Sequence, residues 1–452
     1  MSTKSTKLAR GGRISRRKVL KTIGGTTAVL AGTAVTGSWK RSFAQSKKVV
    51  RIWNLQNSPD QKKAFDQFKK SFESANPNIE LAISSVGSKD ALAKLTSAFV
   101  GGNPPELLFG SNPAFIGSIY NSGKTVPVDD VIKAIGEDDL FPSVRRLFQD
   151  KGSYYGIPIG GTAFSTHWYR KSLLKAAGVE PPKDWAESLD VMKKTTAKGI
   201  YGHSLTYANG GMTTVVMWVM MRKAGAFTTD ADLNVTVNSP ETIEAIEYMQ
   251  ALRPYAPPGA TTYSFNESQG AFVSGRVANG FYTGRILNNV VGRNPGIADD
   301  ISCQPWPSKD PSKPFHMNAF LAMFLCNGSK TVDEAKEVMT AWYKNQDSYI
   351  DFLNSAPGHM LPVSKSMASA PKYNNHPLLV RYKKELDVLK DEIANGFPRV
   401  REGANRPLNL KMGEIMGSGI YAQMLQKVVI DNEKPKAAAV WAHDEIAKIM
   451  KG

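Results

Sequence analysis

The sequence predicts an α/β protein whose opening stretch builds a parallel sheet with helices on its faces. Three observations carry this. Short β-branched runs alternate with helical stretches over residues 48–123. The apolar period switches between two and 3.6 as they alternate. Capping and stop signals fall where the period changes.

The elements read in order. Lys48–Trp53 is a β-branched run and is expected to be a strand. Ser58-Pro59 supplies an N-cap and a proline at the first helical position. Phe65, Phe68 and Phe72 follow at helical spacing, and Asn76-Pro77 stops the helix. Ile79, Leu81 and Ile83 alternate as a strand does. Ser88 opens a second helix with Leu92, Leu95 and Phe99 on one face. Glu106–Phe109 is a third strand, and Phe115, Ile116, Ile119 and Tyr120 mark a third helix ending at Gly123. In such sheets ligands sit beyond the carboxyl ends of the strands. Here those ends carry Asn54-Leu55-Gln56 and Gly110-Ser111-Asn112. Each polar residue there suits either a ligand or an ordinary turn. After Gly160 helical segments dominate: 186–196, 213–223, 240–252, 331–345 and a C-terminal stretch from Leu410. No internal repeat or low-complexity linker interrupts the chain.

The 452 residues are 42% hydrophobic and 21% charged, ordinary for a globular protein, and suffice for two cores. Val215 to Met221 is the longest interior apolar run and reads as a buried helix, too short to span a membrane. The net charge of +17 is concentrated at the N-terminus. Residues 1–44 hold ten Lys or Arg and no acid, leaving +7 for the other 408. That excess fits a solvated surface rather than nucleic acid, and no nucleic-acid motif is present. Cys303 and Cys326 lie in apolar, strand-like stretches and form no CxxC pair. They are either buried thiols or, in an oxidising compartment, a disulfide.

The N-terminus reads as an export address. Arg16 and Arg17 precede a weak apolar stretch, Ile23 to Val35, and then Ser42-Phe43-Ala44. This order resembles a twin-arginine signal, with cleavage expected after Ala44. No Cys follows the apolar stretch, so no lipid anchor is expected. The mature protein would then be free and soluble, and periplasmic in a cell with an outer membrane. The twin-arginine export machinery is the implied partner for the signal.

Four stretches carry a family resemblance. The first is Gly152–Ile159, followed by Trp168–Leu174, Ala177–Val179 and Pro181–Trp185. The second is Ala271–Ala278; the third runs from Ser312–Phe315 to Asp333–Lys336; the fourth is Asn432–Met450. In this order they resemble the family 1 extracellular solute-binding proteins of ABC transporters, the maltose-binding-protein-like group. The resemblance implies a two-lobed periplasmic-binding-protein fold, with mixed sheets, helices on both faces and a ligand cleft between the lobes. It implies lobes at 45–160 with 316–356 and at 161–315 with 357–452. Crossings are expected near Gly160-Gly161-Thr162, Phe315–Ala319 and Pro357-Gly358-His359.

It implies capture of a carbohydrate-like solute by closure and delivery to a membrane permease, by a monomer without cofactor. Sugars need rings to stack on and polar groups of fixed geometry. The first lobe offers Trp53, Asn54, Gln56, Ser111 and Asn112, and the first crossing offers Thr162. The second lobe offers Tyr207, Tyr282 and Arg285, and the third crossing offers His359. Arg285 falls where the family usually places an aromatic, and its fork matches carboxylate or phosphate. An acidic or phosphorylated sugar is therefore within the expectation, as is a shifted register with Tyr282 stacking. The rival class is an exported carbohydrate-active enzyme. The six histidines show no HxxxH or HExxH spacing, and no GxSxG, Walker or GxGxxG motif occurs. The expected cleft loops contain no Asp or Glu for a glycosidase pair.

Overall fold

A computed structural model describes residues 47–87, 91–111 and 123–452. The proposed export signal, with Arg16 and Arg17, lies outside the described residues, as do Asn112 and the helix expected over 115–120.

β1 (Lys48–Asn54), β2 (Ile79–Ser85) and β3 (Leu107–Ser111) are parallel in the order β2-β1-β3. Ile52 sits between Ile83 and Leu107 in register, so the apolar alternation of all three strands faces common layers. A ribbon of β4 (Gln149–Asp150) and β5 (Ser153–Tyr154) precedes β6 (Ile157–Ala163). β6 pairs antiparallel with β11 (Asn318–Leu325), and β11 pairs antiparallel with β3, completing a five-stranded mixed sheet. β11 alone runs against the other four strands, and the helices Asp129–Ile135 and Pro142–Phe148 lie in the chain between β3 and β6. The second sheet holds β7 (Thr166–Arg170), β8 (Tyr201–His203), β9 (Val277–Phe281) and β10 (Ile301–Pro305), in the order β10-β7-β9-β8. Only β8 and β9 are parallel there.

Local chemistry explains the flanking helices. Pro59–Ala75 starts in a capping box, with Gln61 N donating to Ser58 Oγ and Ser58 N donating back to Gln61 Oε1. Phe65, Phe68 and Phe72 form its buried face. They meet Trp342, from the helix Val332–Lys344, whose ring lies 5.2 Å from Phe65, 5.1 Å from Phe68 and 4.9 Å from Phe109. Around the second sheet, Gly211–Ala224 is buried continuously from Met212 to Lys223, so the apolar run there is a core helix. Among the described residues no helix is long and apolar enough to cross a membrane. Cys303 in β10 and Cys326 just past β11 belong to different sheets and are buried thiols, not a disulfide.

The links between the sheets differ from expectation in detail. Gly160, Gly161 and Thr162 lie within β6, paired to β11, so the first link is Phe164–Ser165. The second spans 306–317, between β10 and β11. The third expected crossing, 357–359, touches both sides, with Gly358 against Gly284 and His359 bonded to Thr162 and Thr283. Leu140 bridges Ser364, and Ser366 N donates to Asp139, keeping 364–366 with the elements around the first sheet. Further along, Arg381 and Tyr382 bond Asp299 and the Ala298 carbonyl near the second sheet. The following helix, Lys383–Asn395, packs against both β6 and β10.

Two predictions follow from this packing. Trp342→Ala removes the ring that five aromatics, Phe65, Phe68, Phe109, Tyr349 and Phe352, share, and should cost about 3–5 kcal/mol by chemical denaturation. His167 and His203 are fully buried, and burial lowers each to about 4. His203 accepts from Leu205 N at Nδ1 and meets the Leu252 carbonyl at Nε2, which suits the neutral ring. The unfolded chain binds these protons more readily, so stability is full above pH ~6.5 and falls as pH drops toward 4. Imidazole resonances of both should remain in the neutral form at pH ~5.5 in the folded protein.

Candidate ligand-binding site

β6 forms the floor where the sheets approach. Gly161 exchanges backbone hydrogen bonds with Leu361, at 2.9 and 2.8 Å, which lays residues 359–361 alongside it. Thr162 Oγ1 donates to the His359 carbonyl at 2.9 Å. From the second sheet, the turn after β9 brings Tyr282, Thr283, Gly284 and Arg285 to the same place. His359 Nδ1 lies 3.1 Å from Thr283 Oγ1. Gly284 rests on Gly358 so closely that a Cβ would sit 1.9 Å from the Gly358 oxygen. Gly358 itself has φ +78°, the left-handed region glycine tolerates. Thr162, Tyr282, Arg285 and His359 are therefore brought together.

The charge state of this wall follows from its surroundings. Arg285 is exposed, and neighbouring protein partly desolvates it, which lowers its pKa. Burial also holds His359 near 3, with the Arg285 charge adding to the effect, so the imidazole is neutral. Burial raises the Tyr282 phenol, which stays protonated. The wall carries one cation and no carboxylate.

The first sheet contributes differently from expectation. Trp53 is half-buried in β1 beside Ser84 and Leu108. Asn54 is 2% exposed, and its Oδ1 accepts from Gln56 N at 2.8 Å. Gln56 Nε2 donates to the Gly110 carbonyl at 2.9 Å, while its Oε1 accepts from Gln61 at 3.0 Å. These amides tie β1 to β3 and to the first helix. A Cβ on Gly110 would lie 2.4 Å from Gln56 Cγ, so a glycine is needed where the amide crosses. Ser111 ends β3 opposite Ala322, and its side chain lies outside the described residues.

Tyr207 is not part of the wall. It is fully buried, its hydroxyl donating to Met249 O at 3.1 Å, its N to Ala260 O and its carbonyl accepting from Gln426. β8 ends at His203, earlier than the strand-like run suggests, and residue 207 turns into the core. Phe265 stands near there instead, 3.7 Å from where a Cβ of Gly211 would be. Its half-buried ring meets that of Phe164 edge-on at 6.2 Å. The Ser264–Glu267 capping box was the available signal, because it places Phe265 at a helix start beside that loop. Thr283 was also missed, since only the fold brings it to His359.

Gly284→Ala should force the two backbones apart, costing roughly 1–3 kcal/mol and lowering Tm by several degrees with the far-UV spectrum unchanged.

The likeness to known proteins agrees with this architecture. An ABC transporter solute-binding protein of Thermotoga lettingae TMO, solved with alpha-D-tagatose bound, superposes with a TM-score of 0.71 at 20% identity, covering 89% of this chain and 100% of that one. A protein of Escherichia coli K12 described as an ABC transporter periplasmic-binding protein is 25% identical over 371 residues, 79% of this chain and 83% of the relative. The maltotriose-binding protein of Pyrococcus abyssi is 23% identical over 423 residues, 90% of this chain and 83% of the relative. The sequence model of the bacterial extracellular solute-binding proteins matches residues 56–349, and the chain belongs to that family.

Proposed function

We propose that this protein is the extracytoplasmic solute-binding subunit of an ABC importer, capturing a sugar or sugar-like solute by hinge closure. The observation that carries the reading is the wall at the links. Thr162 of one sheet meets His359, which in turn meets Thr283 beside Tyr282 and Arg285 of the other. A solute touching both sides would favour the closed arrangement, because closure needs contacts that the open form lacks. Trp53, Phe164, Phe265 and Tyr282 would supply rings to stack on sugar C–H faces. The permease would recognise the closed form, and no covalent step is required. Export through the twin-arginine route, cleavage after Ala44, a soluble periplasmic monomer and absence of catalysis all belong to this reading. The tagatose and maltotriose named for relatives place monosaccharides and oligosaccharides in the first test panel.

Thermal shift against neutral sugars, polyols, uronates and sugar phosphates tests it. A micromolar ligand at millimolar concentration should add ~4 kcal/mol of stability. Trp53→Ala should cut that gain while leaving the unliganded Tm within a few degrees; Tyr282→Ala should cut it as well and, because the ring is buried, lower the unliganded Tm by several degrees. Turnover of any panel compound, or no stabilisation by any, would count against the reading.

A further inference from the structure

We infer that the solute carries an anionic group, a carboxylate or a phosphate, seated on Arg285. This rests on the binding reading above and narrows it. Several enclosed guanidinium groups among the described residues are answered by oxygen. Arg51 forks onto Glu106, Arg170 meets Asp300, Arg222 bonds the Ala226 and Glu402 carbonyls, and Arg401 bonds the Arg406 carbonyl. The Arg285 guanidinium has no hydrogen bond or ion pair among the described residues; only its backbone N–H is engaged, with Thr283 Oγ1.

Its position suits an anion. Arg285 is the first residue of the nine-residue helix Arg285–Arg293, which has no side-chain cap. A cation at a helix N-terminus meets the positive end of the dipole, and an anion there offsets both. The groups beside it are Tyr282 and Thr283 from its own turn and His359 from the link segment. None is acidic. Tyr282 is nine-tenths buried, yet its phenol has no partner, and it is close enough to Arg285 for their charges to interact. His359 engages Thr283 through Nδ1 and leaves Nε2 unpaired. With Thr283 donating, Nε2 carries the proton. A guanidinium fork, a phenol and an imidazole N–H then converge without an acid to neutralise them, which is the donor set an oxyanion needs. Arg399 adds a second guanidinium without a partner. It lies on a segment tied to His316 and to Gln149, where the surroundings of the two sheets meet.

Isothermal titration of the full chain with D-glucuronate and glycerol 3-phosphate, against D-glucose and glycerol, tests this. One of the anions should bind at least tenfold more tightly than its uncharged counterpart, and the pair of arms separates carboxylate from phosphate. Arg285→Gln should weaken that anion by roughly 10- to 100-fold and the uncharged compounds by much less. Arg285→Lys, which keeps the charge without the fork, should fall between. Arg285 has solvent access, so both variants should keep the parental Tm. Binding of glucose or glycerol as tightly as the anions, or an anion affinity indifferent to Arg285→Gln, overturns the anionic class and leaves solute capture standing. Binding of no compound in either arm overturns both.

Discussion

Glu392 is a carboxylate with no solvent exposure, placed where the two sheets are joined. It accepts from Ser165 Oγ at 2.8 Å, from Ser165 N at 3.3 Å and from Thr166 Oγ1 at 2.9 Å. Ser165 Oγ in turn accepts from Met317 N at 2.8 Å, so the first and second links meet at one hydroxyl. Lys223, also buried, donates to the carbonyls of Trp306 and Phe315 at the two ends of the second link. Burial pushes the Glu392 carboxyl up and the Lys223 ammonium down, and their mutual attraction opposes both shifts. An isolated buried charge costs several kcal/mol, so both groups depend on this geometry. The links can bend around this point only if its hydrogen bonds persist.

That constraint explains where the recognition wall stands. The helix bearing Glu392 also offers the Ile393 carbonyl to Ser143 and Asn318, fixing β11 beside it. β6 is thereby held, and Thr162 and Leu361 inherit a fixed position. On the other side, the contact of Gly284 with Gly358 joins two backbones without an intervening side chain. Donors anchored in this way need little reorganisation when a solute arrives, which lowers the entropic cost of binding. Closure can then move the two sheets relative to each other about a polar centre that stays intact.

The local signals were legible in the sequence. The β-branched run at Lys48, the Ser58 cap and the Phe65, Phe68 and Phe72 spacing each became the element expected. So did Val277–Phe281 and Pro240–Leu252. At the site the reading was mixed. Thr162, Tyr282, Arg285 and His359 converge, because each follows a strand end or link that the family motifs located. Asn54 and Gln56 lie at a strand end too, yet their amides serve the chain itself. Tyr207 was misplaced because three residues' difference in where β8 stops decides whether its ring faces inward.

What the sequence determined by itself is the kind and order of elements, since period, caps and stops act within a few residues. It also determined which residues follow each strand. Tertiary structure alone decided that β11 joins the first sheet antiparallel, that Glu392 lies against Ser165, and that Thr283 meets His359. These pairings link residues far apart in the chain, where no local propensity acts, and they are selected by burial and by the need to satisfy buried polar groups.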